Sequence, residues 1–296
     1  MSQPRIAVFA RLANGAVKPT RIIAGQGTRL GRTIHGIGYN PLRDEIITVN
    51  PLAAAILAFR GAAEGEEAPL RVIQGTNTHL ILPHAVSLDP QNKEIIVGDR
   101  ESQVVVFSDT ADGNPAPLRL LRGPKTKLAF VVGTAVDPER NLLFVANTGP
   151  GATGILIFNR TDSGDVAPRG MLSGPKTGLT YPWEVRVFGD KLFVAGTNSS
   201  YRMPYDRGEL HPRTDLTSVP QSPWSSDTLG FIGVWNITDC GDVPPRAIIK
   251  GAVSGLIHPT GVVLDPVHGE IYASDSVRNG IFTYLIPDLF KPAPGP

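Results

Sequence analysis

The 296-residue chain carries a single cysteine, Cys240, which excludes an internal disulfide framework and a thiolate-rich metal centre. No apolar run reaches the roughly 18 residues that a membrane helix needs. Hardly any segment shows an apolar period of about 3.6 residues, so helix is expected to be nearly absent. An excess of one charge is missing too. Lys+Arg 28 against Asp+Glu 27 leaves a net +1, which gives no bulk attraction to nucleic acid or to an anionic membrane. The start, Met-Ser-Gln-Pro-Arg, has no apolar signal core, so the chain as given reads as soluble and cytoplasmic, or as secreted or periplasmic if a leader was removed. Phosphate-loop, Gly-x-Ser-x-Gly, His-Glu-x-x-His and EF-hand patterns are also lacking.

Turn formers are plentiful: Gly 32 and Pro 27, without low complexity. They recur in register. Strands end in Phe9, Phe59, Phe107, Phe158 and Trp235, each followed six residues later by Gly15, Gly65, Gly113, Gly164 or Gly241. Pro19, Pro69, Pro117, Pro168 and Pro245 come next, then Gly25, Gly75, Gly123, Gly174 and Gly251, then Leu30, Leu80, Leu128, Leu179 and Leu256. The aromatics are 50, 48, 51 and 77 residues apart, with Tyr284 another 49 along. Repeats of this length built from short strands predict a β-propeller.

Each period holds four strand-like runs. One repeat reads Ala85–Asp89, Glu94–Asp99, Val104–Phe107 and Leu118–Leu121, with Gly, Pro and Asp turns between them. The expected fold class is all-β, a single propeller domain over residues 1–296 made of four-stranded antiparallel blades. Five inner strands, starting at Gly36, Ala85, Gly133, Glu184 and Gly261, set five blades, and one surplus third-type strand keeps six as the alternative. Pairing of N- and C-terminal strands is expected to close the last blade, which would remove an open edge. An insertion over 197–231 accounts for the 77-residue spacing and falls between the second and third strands of the fourth blade.

The runs Pro83–Asp89 with Asp99, and His258–Asp265 with Asp275, resemble the NHL-repeat propeller family, and the likeness covers nearly the whole chain outside the insertion. That resemblance implies an innermost Val-Ser-Leu type strand and an outermost Leu-Arg-Leu-Leu type strand. It implies little about function, because the family holds binding modules, scaffolds and a few enzymes.

Strand direction alternates within a blade, so outer-to-inner connections and second-to-third-strand loops open on one face. The residue just before each inner strand is His35, His84, Val132, Trp183 or Thr260, with His258 two residues before the last slot. Imidazoles gathered there would suit a divalent metal, zinc or calcium, on His35, His84 and His258. The layout resembles the PAL-type amidating lyases, which set a zinc on histidines of channel-facing loops. Glu184 stands where the other blades have Gly or Ala, beside Trp183 and Tyr181, and is the candidate catalytic base; pairing with Arg186 is the competing role. Tyr201, Arg207 and His211 of the insertion complete the candidate ligand-binding set.

Positions repeated in every blade are expected to be structural. These include Thr28, Thr78, Thr126, Thr177 and Ser254, which would bond backbone; Asn50, Asp99, Asn147 and Asp275, which close the second strand of their blades, would likewise fix turns. Before the repeat Leu stand Arg29, His79 and Lys127, then Gly178 and Gly255, so one sector of the face is expected to be basic. The expected activity is binding or scaffolding of a protein or small-molecule ligand. The alternative is a metal-dependent lyase or hydrolase. Without aromatics interleaved among the cations, nucleic acid is disfavoured.

Overall fold

The computed structural model describes residues 4–149, 151–197 and 230–291. It forms two compact units, Met1–Met171 and Leu172–Pro296. The fold class is the all-β propeller class expected from the repeats.

The first unit opens with a two-stranded sheet, β1 (Arg5–Val8) and β2 (Arg21–Ala24). Four-stranded antiparallel blades follow. The first is β3 (Ile37–Asn40), β4 (Glu45–Asn50), β5 (Ala55–Arg60) and β6 (Arg71–Gln74). The second is β7 (Pro83–Asp89), β8 (Glu94–Asp99), β9 (Gln103–Ser108) and β10 (Arg119–Arg122). The third is β11 (Phe130–Asp137), β12 (Leu142–Thr148), β13 (Gly154–Asn159) and β14 (Gly170–Leu172), the unit boundary falling inside β14.

The second unit holds a four-stranded blade of β15 (Tyr181–Phe188), β16 (Lys191–Thr197), β17 (Gly230–Asn236) and β18 (Ala247–Lys250). Its last sheet has three strands, β19 (Pro259–Asp265), β20 (Glu270–Asp275) and β21 (Gly280–Leu285). Among the described residues β1 is bonded to β2 and β21 to β20, so the terminal pairing expected from the sequence is not among the ladders of either unit. β16 and β17 pair with Thr197 opposite Gly230. Residues 198–229, including Tyr201, Arg207 and His211, lie outside the described residues.

The apolar cores lie between blades, which explains why the second strands read as unbroken apolar runs. Ile95 and Val97 of β8 pack with Ile47, Val49 and Ile56 of the first blade. The intervening Ile96 turns the other way and packs with Val131, Leu143 and Val145 of the third. Successive side chains of a strand face opposite sides, so a strand covered on both sides must be apolar throughout. Phe59, Phe107, Phe158 and Trp235 are fully buried, whereas the first repeat aromatic, Phe9, is 39% exposed.

Each outer-to-inner connection contains a single 3-10 turn, such as Gln26–Thr28 and Pro124–Thr126. Its last residue donates its hydroxyl to the preceding Gly carbonyl and accepts the amide of the repeat Leu. Thr126 does both, at 2.6 Å to Gly123 and 3.2 Å from Leu128, and Thr28, Thr78, Thr177 and Ser254 do the same. These are the structural roles expected of repeated hydroxyls.

Neighbouring repeats are also latched at the outer strands. Gly65, Gly113 and Gly164 form parallel bridges to Ile23, Ile73 and Leu121. The residue after each glycine then accepts an amide hydrogen from the 3-10 turn: Glu66 from Gly27, Asn114 from Asn77 and Asp165 from Lys125. Within the second unit Gly241 and Asp242 repeat the device on Leu172 and Lys176. Close approach is the reason for glycine at 123: with φ +133°, a Cβ there would lie 2.4 Å from the Asp165 carboxyl carbon.

Candidate functional site

The slot before the inner strands proves to be a β-bulge. Register shifts fall between Pro83 and Ala85, Val131 and Gly133, Pro182 and Glu184, and Pro259 and Gly261. The extra residues are His84, Val132, Trp183 and Thr260. A bulge bends the strand and re-aims side chains, so two-residue alternation cannot be carried across it. Alternation therefore does not fix how Glu184 is turned relative to Trp183.

In the first unit the His84 bulge brings two expected residues together. The His35 and His84 rings stack with centroids 4.0 Å apart and planes 20° from parallel. His84 is 4% exposed, whereas His35 keeps an exposed face. The carbonyl of Val132, 3.2 Å from His84 Nδ1, can only accept, so Nδ1 carries the proton. On the other side stands Phe130, 6.4 Å from His84, with the Arg100 guanidinium carbon 3.6 Å above the phenyl centroid.

Burial, then the His35 and Arg100 charges, push the His84 imidazole down to about 2, against an opposing contribution from the Val132 carbonyl. Packing around the His35 ring, then Arg100, push that imidazole down to about 4. Both rings are neutral at pH 7. Imidazole lone pairs lie in their ring planes, and with the planes nearly parallel and the centroids 4.0 Å apart the two rings do not aim at a shared point in this arrangement. Zinc would need those lone pairs to converge on one point about 2.0–2.1 Å from each nitrogen.

The second unit carries its own cluster. Tyr181 and Trp183 rings lie 6.2 Å apart, and Trp183 meets His258 edge to face at 5.1 Å. His258 Nδ1 lies 2.9 Å from Ser276 Oγ, and the His258 amide donates to Asp275 at 2.7 Å. Asp275 also accepts the amides of Ile257, Val277 and Arg278, and Asp99 likewise accepts from Ile81, Leu82 and Glu101. The strand-closing acids thus organise the incoming connection as well as their own turn.

Glu184 occupies a repeat position otherwise held by Gly or Ala, and its neighbour two residues on departs in parallel. Where the first three blades have Gly38, Ser87 and Ala135, this blade has Arg186. Residues two apart share a strand face. Arg186 Nη1 donates to Glu184 Oε1 at 2.5 Å, and the Val185 amide donates to the same oxygen at 3.1 Å. Burial raises the Glu184 carboxyl above its ordinary range, with Arg186 and the Val185 amide pulling the other way. The carboxylate is therefore held by its own counter-ion, the competing role foreseen for it.

One group of three metal-capable donors occurs among the described residues: Asp265, His268 and Glu270, in and beside the β19–β20 hairpin. His268 Nδ1 is 2.7 Å from Asp265 Oδ2, and Tyr272 donates to Glu270 at 2.5 Å.

Sequence reasoning missed Arg100 and Phe130, although a signal for Phe130 existed. Phe130, Tyr181 and His258 all stand two residues after the repeat Leu. In each unit a residue of that column meets a bulge residue from the preceding blade, Phe130 against His84 and His258 against Trp183. The histidines thus belong to a recurring packing contact. No helix among the described residues is long and apolar enough to cross a membrane. Comparison with models of known protein families finds no match, and comparison with curated proteins finds none. The likeness to NHL repeats therefore rests on the repeat motif, and what the geometry establishes is the propeller class.

Proposed function

We propose that this chain is a binding or scaffolding module that engages its ligand through the loop ends of the first unit, around His35, His84, Arg100 and Phe130. The observation that carries the reading is the stacked His35–His84 pair. It supports recognition, because one ring is buried and held by a backbone carbonyl, the near-parallel ring planes do not aim both rings at one point, and the other ring keeps an exposed face. Arg100 above Phe130 adds a fixed positive charge beside an exposed imidazole. A rigid face of this kind suits a ligand with a planar or acidic group. The metal-dependent lyase or hydrolase is the second reading, and its base candidate, Glu184, is paired with Arg186.

The test begins with a peptide library panned on the immobilised protein. Peptides selected this way should lose most of their affinity for the His35→Ala and Arg100→Ala variants while both variants still melt cooperatively. Undiminished binding to both variants would show that the face is wrong. Zinc titration by calorimetry separates the alternative. A stoichiometric site abolished by His84→Ala would restore the metal reading.

A further inference from the structure

The 3-10 turns of the first unit end in residues that have no conformational reason to be where they are. Arg29, His79 and Lys127 terminate the three successive turns with φ of 57°, 58° and 58°. The same position in the second unit is Gly178 and Gly255, with φ of 70° and 77°. This left-handed region crowds a Cβ and favours glycine. The repeat enforces the conformation in all these turns. Where the position is not glycine, the turn carbonyl is gripped by a side-chain amide: Arg29 by Asn50 at 2.9 Å, His79 by Gln103 at 2.7 Å and Lys127 by Asn147 at 3.2 Å. Three blades in a row therefore carry left-handed strain at a site where glycine is known to fit, and all three use it to hold a basic side chain in an exposed position.

We propose that Arg29, His79 and Lys127 form a docking row for an acidic segment of a partner protein, spanning the loop ends of the first unit. The inference rests on the binding-module reading and names its partner class. An extended ligand is required because the three side chains come from three successive blades. A densely charged polyanion fits poorly, since Glu66 and Asp165 are bonded into the turns beside Arg29 and Lys127, and exposed Glu101 lies on the neighbouring loop. Nucleic acid carries a charge about every 1.7 Å of duplex and would meet those carboxylates. A peptide can space its acidic side chains between them and offer amide hydrogens to the carboxylates.

The experiment compares wild type with the triple variant Arg29→Gly, His79→Gly, Lys127→Gly, using a fluorescein-labelled peptide of alternating Glu and Ser. A single-stranded oligonucleotide of similar charge and phosphatidylserine vesicles serve as the other arms. Wild type should bind the peptide in preference to both, with affinity falling as salt rises. Each single Gly substitution should weaken binding about two- to fivefold. The triple variant should melt at the wild-type temperature or above, because relief of left-handed strain offsets the extra freedom glycine gives the unfolded chain. Unchanged peptide affinity in the triple variant, a marked loss of its melting temperature, or tighter binding of oligonucleotide or vesicles would each overturn the proposal. If the alternating peptide fails while library-selected peptides still depend on Arg100, the partner class falls and the binding-module reading stands.

Discussion

The Glu184–Arg186 pair gives the sharpest test of how this fold uses its departures from the repeat. Two unit charges about 4 Å apart attract by about 4 kcal/mol at an effective dielectric near 20. The side chains are 13% and 24% exposed, so residual solvent screening lowers the expected coupling to about 2 kcal/mol. A double-mutant cycle of Glu184→Ala and Arg186→Ala, followed by urea unfolding, measures that coupling directly. Arg186→Ala should be the more harmful single change, because it strands a buried carboxylate whose proton affinity burial already raises. Adding Glu184→Ala to Arg186→Ala should recover much of the loss. The pH dependence follows from the same sign. Between the ordinary Glu value and its raised one, the folded state holds a proton that the unfolded chain has released. Stability is therefore full below that window and falls as pH rises through it. Arg186→Ala extends the window upward, so its deficit against wild type should shrink on acidification. A coupling below about 0.5 kcal/mol, or a deficit that grows in acid, would refute the ion-pair account and reopen a functional role for Glu184.

Two further outcomes concern the histidine stack and the latch. With His84 held near 2 and His35 near 4, the unfolded chain takes up protons below pH 6.5 that the folded state refuses, so acid destabilises the fold by up to about 1.4 kcal/mol per pH unit per proton. Thermal melts of His84→Leu across that range should show a shallower acid slope, and an unchanged slope would mean that the ring is not buried as described. Asp165→Ala removes the acceptor for the Lys125 amide and should cost about 1 kcal/mol, as loss of a helix cap does. Gly123→Ala should cost more, from steric contact with Asp165 as well as positive φ, and urea midpoints of the two variants give the order.

The latch and the hydroxyl-capped turn explain how short strands with few charged contacts hold together. The second strands β4, β8, β12 and β16 are buried along nearly their whole length, and the turns ending at Thr28, Thr78, Thr126 and Thr177 each have one amide accepted by the next repeat. Ion pairs are concentrated at the starts of those strands. Glu94 accepts both nitrogens of Arg119 and one of Arg160, and although burial alone would raise the carboxyl, these cations hold it below the ordinary carboxylate range. That cluster spans the second and third blades and reinforces the same packing within the first unit.

The period of the aromatics, glycines and prolines determined the propeller class by itself, because every blade must repeat the same turns and the same two-sided burial. The roles of Thr126 and its equivalents were legible for the same reason, a hydroxyl recurring at a fixed distance from a glycine. Tertiary structure alone decided the rest. The bulges at His84 and Trp183 leave no mark on apolar alternation, since an extra residue in a strand looks like any other. Stacking of His35 on His84 depends on how two inner strands approach, and the placement of Arg100 over Phe130 on how the turn after β8 meets the start of β11. The left-handed turns at Arg29, His79 and Lys127 were legible only in part: Gly178 and Gly255 stand in the same column, but the backbone was needed to show that the three basic residues share the positive φ.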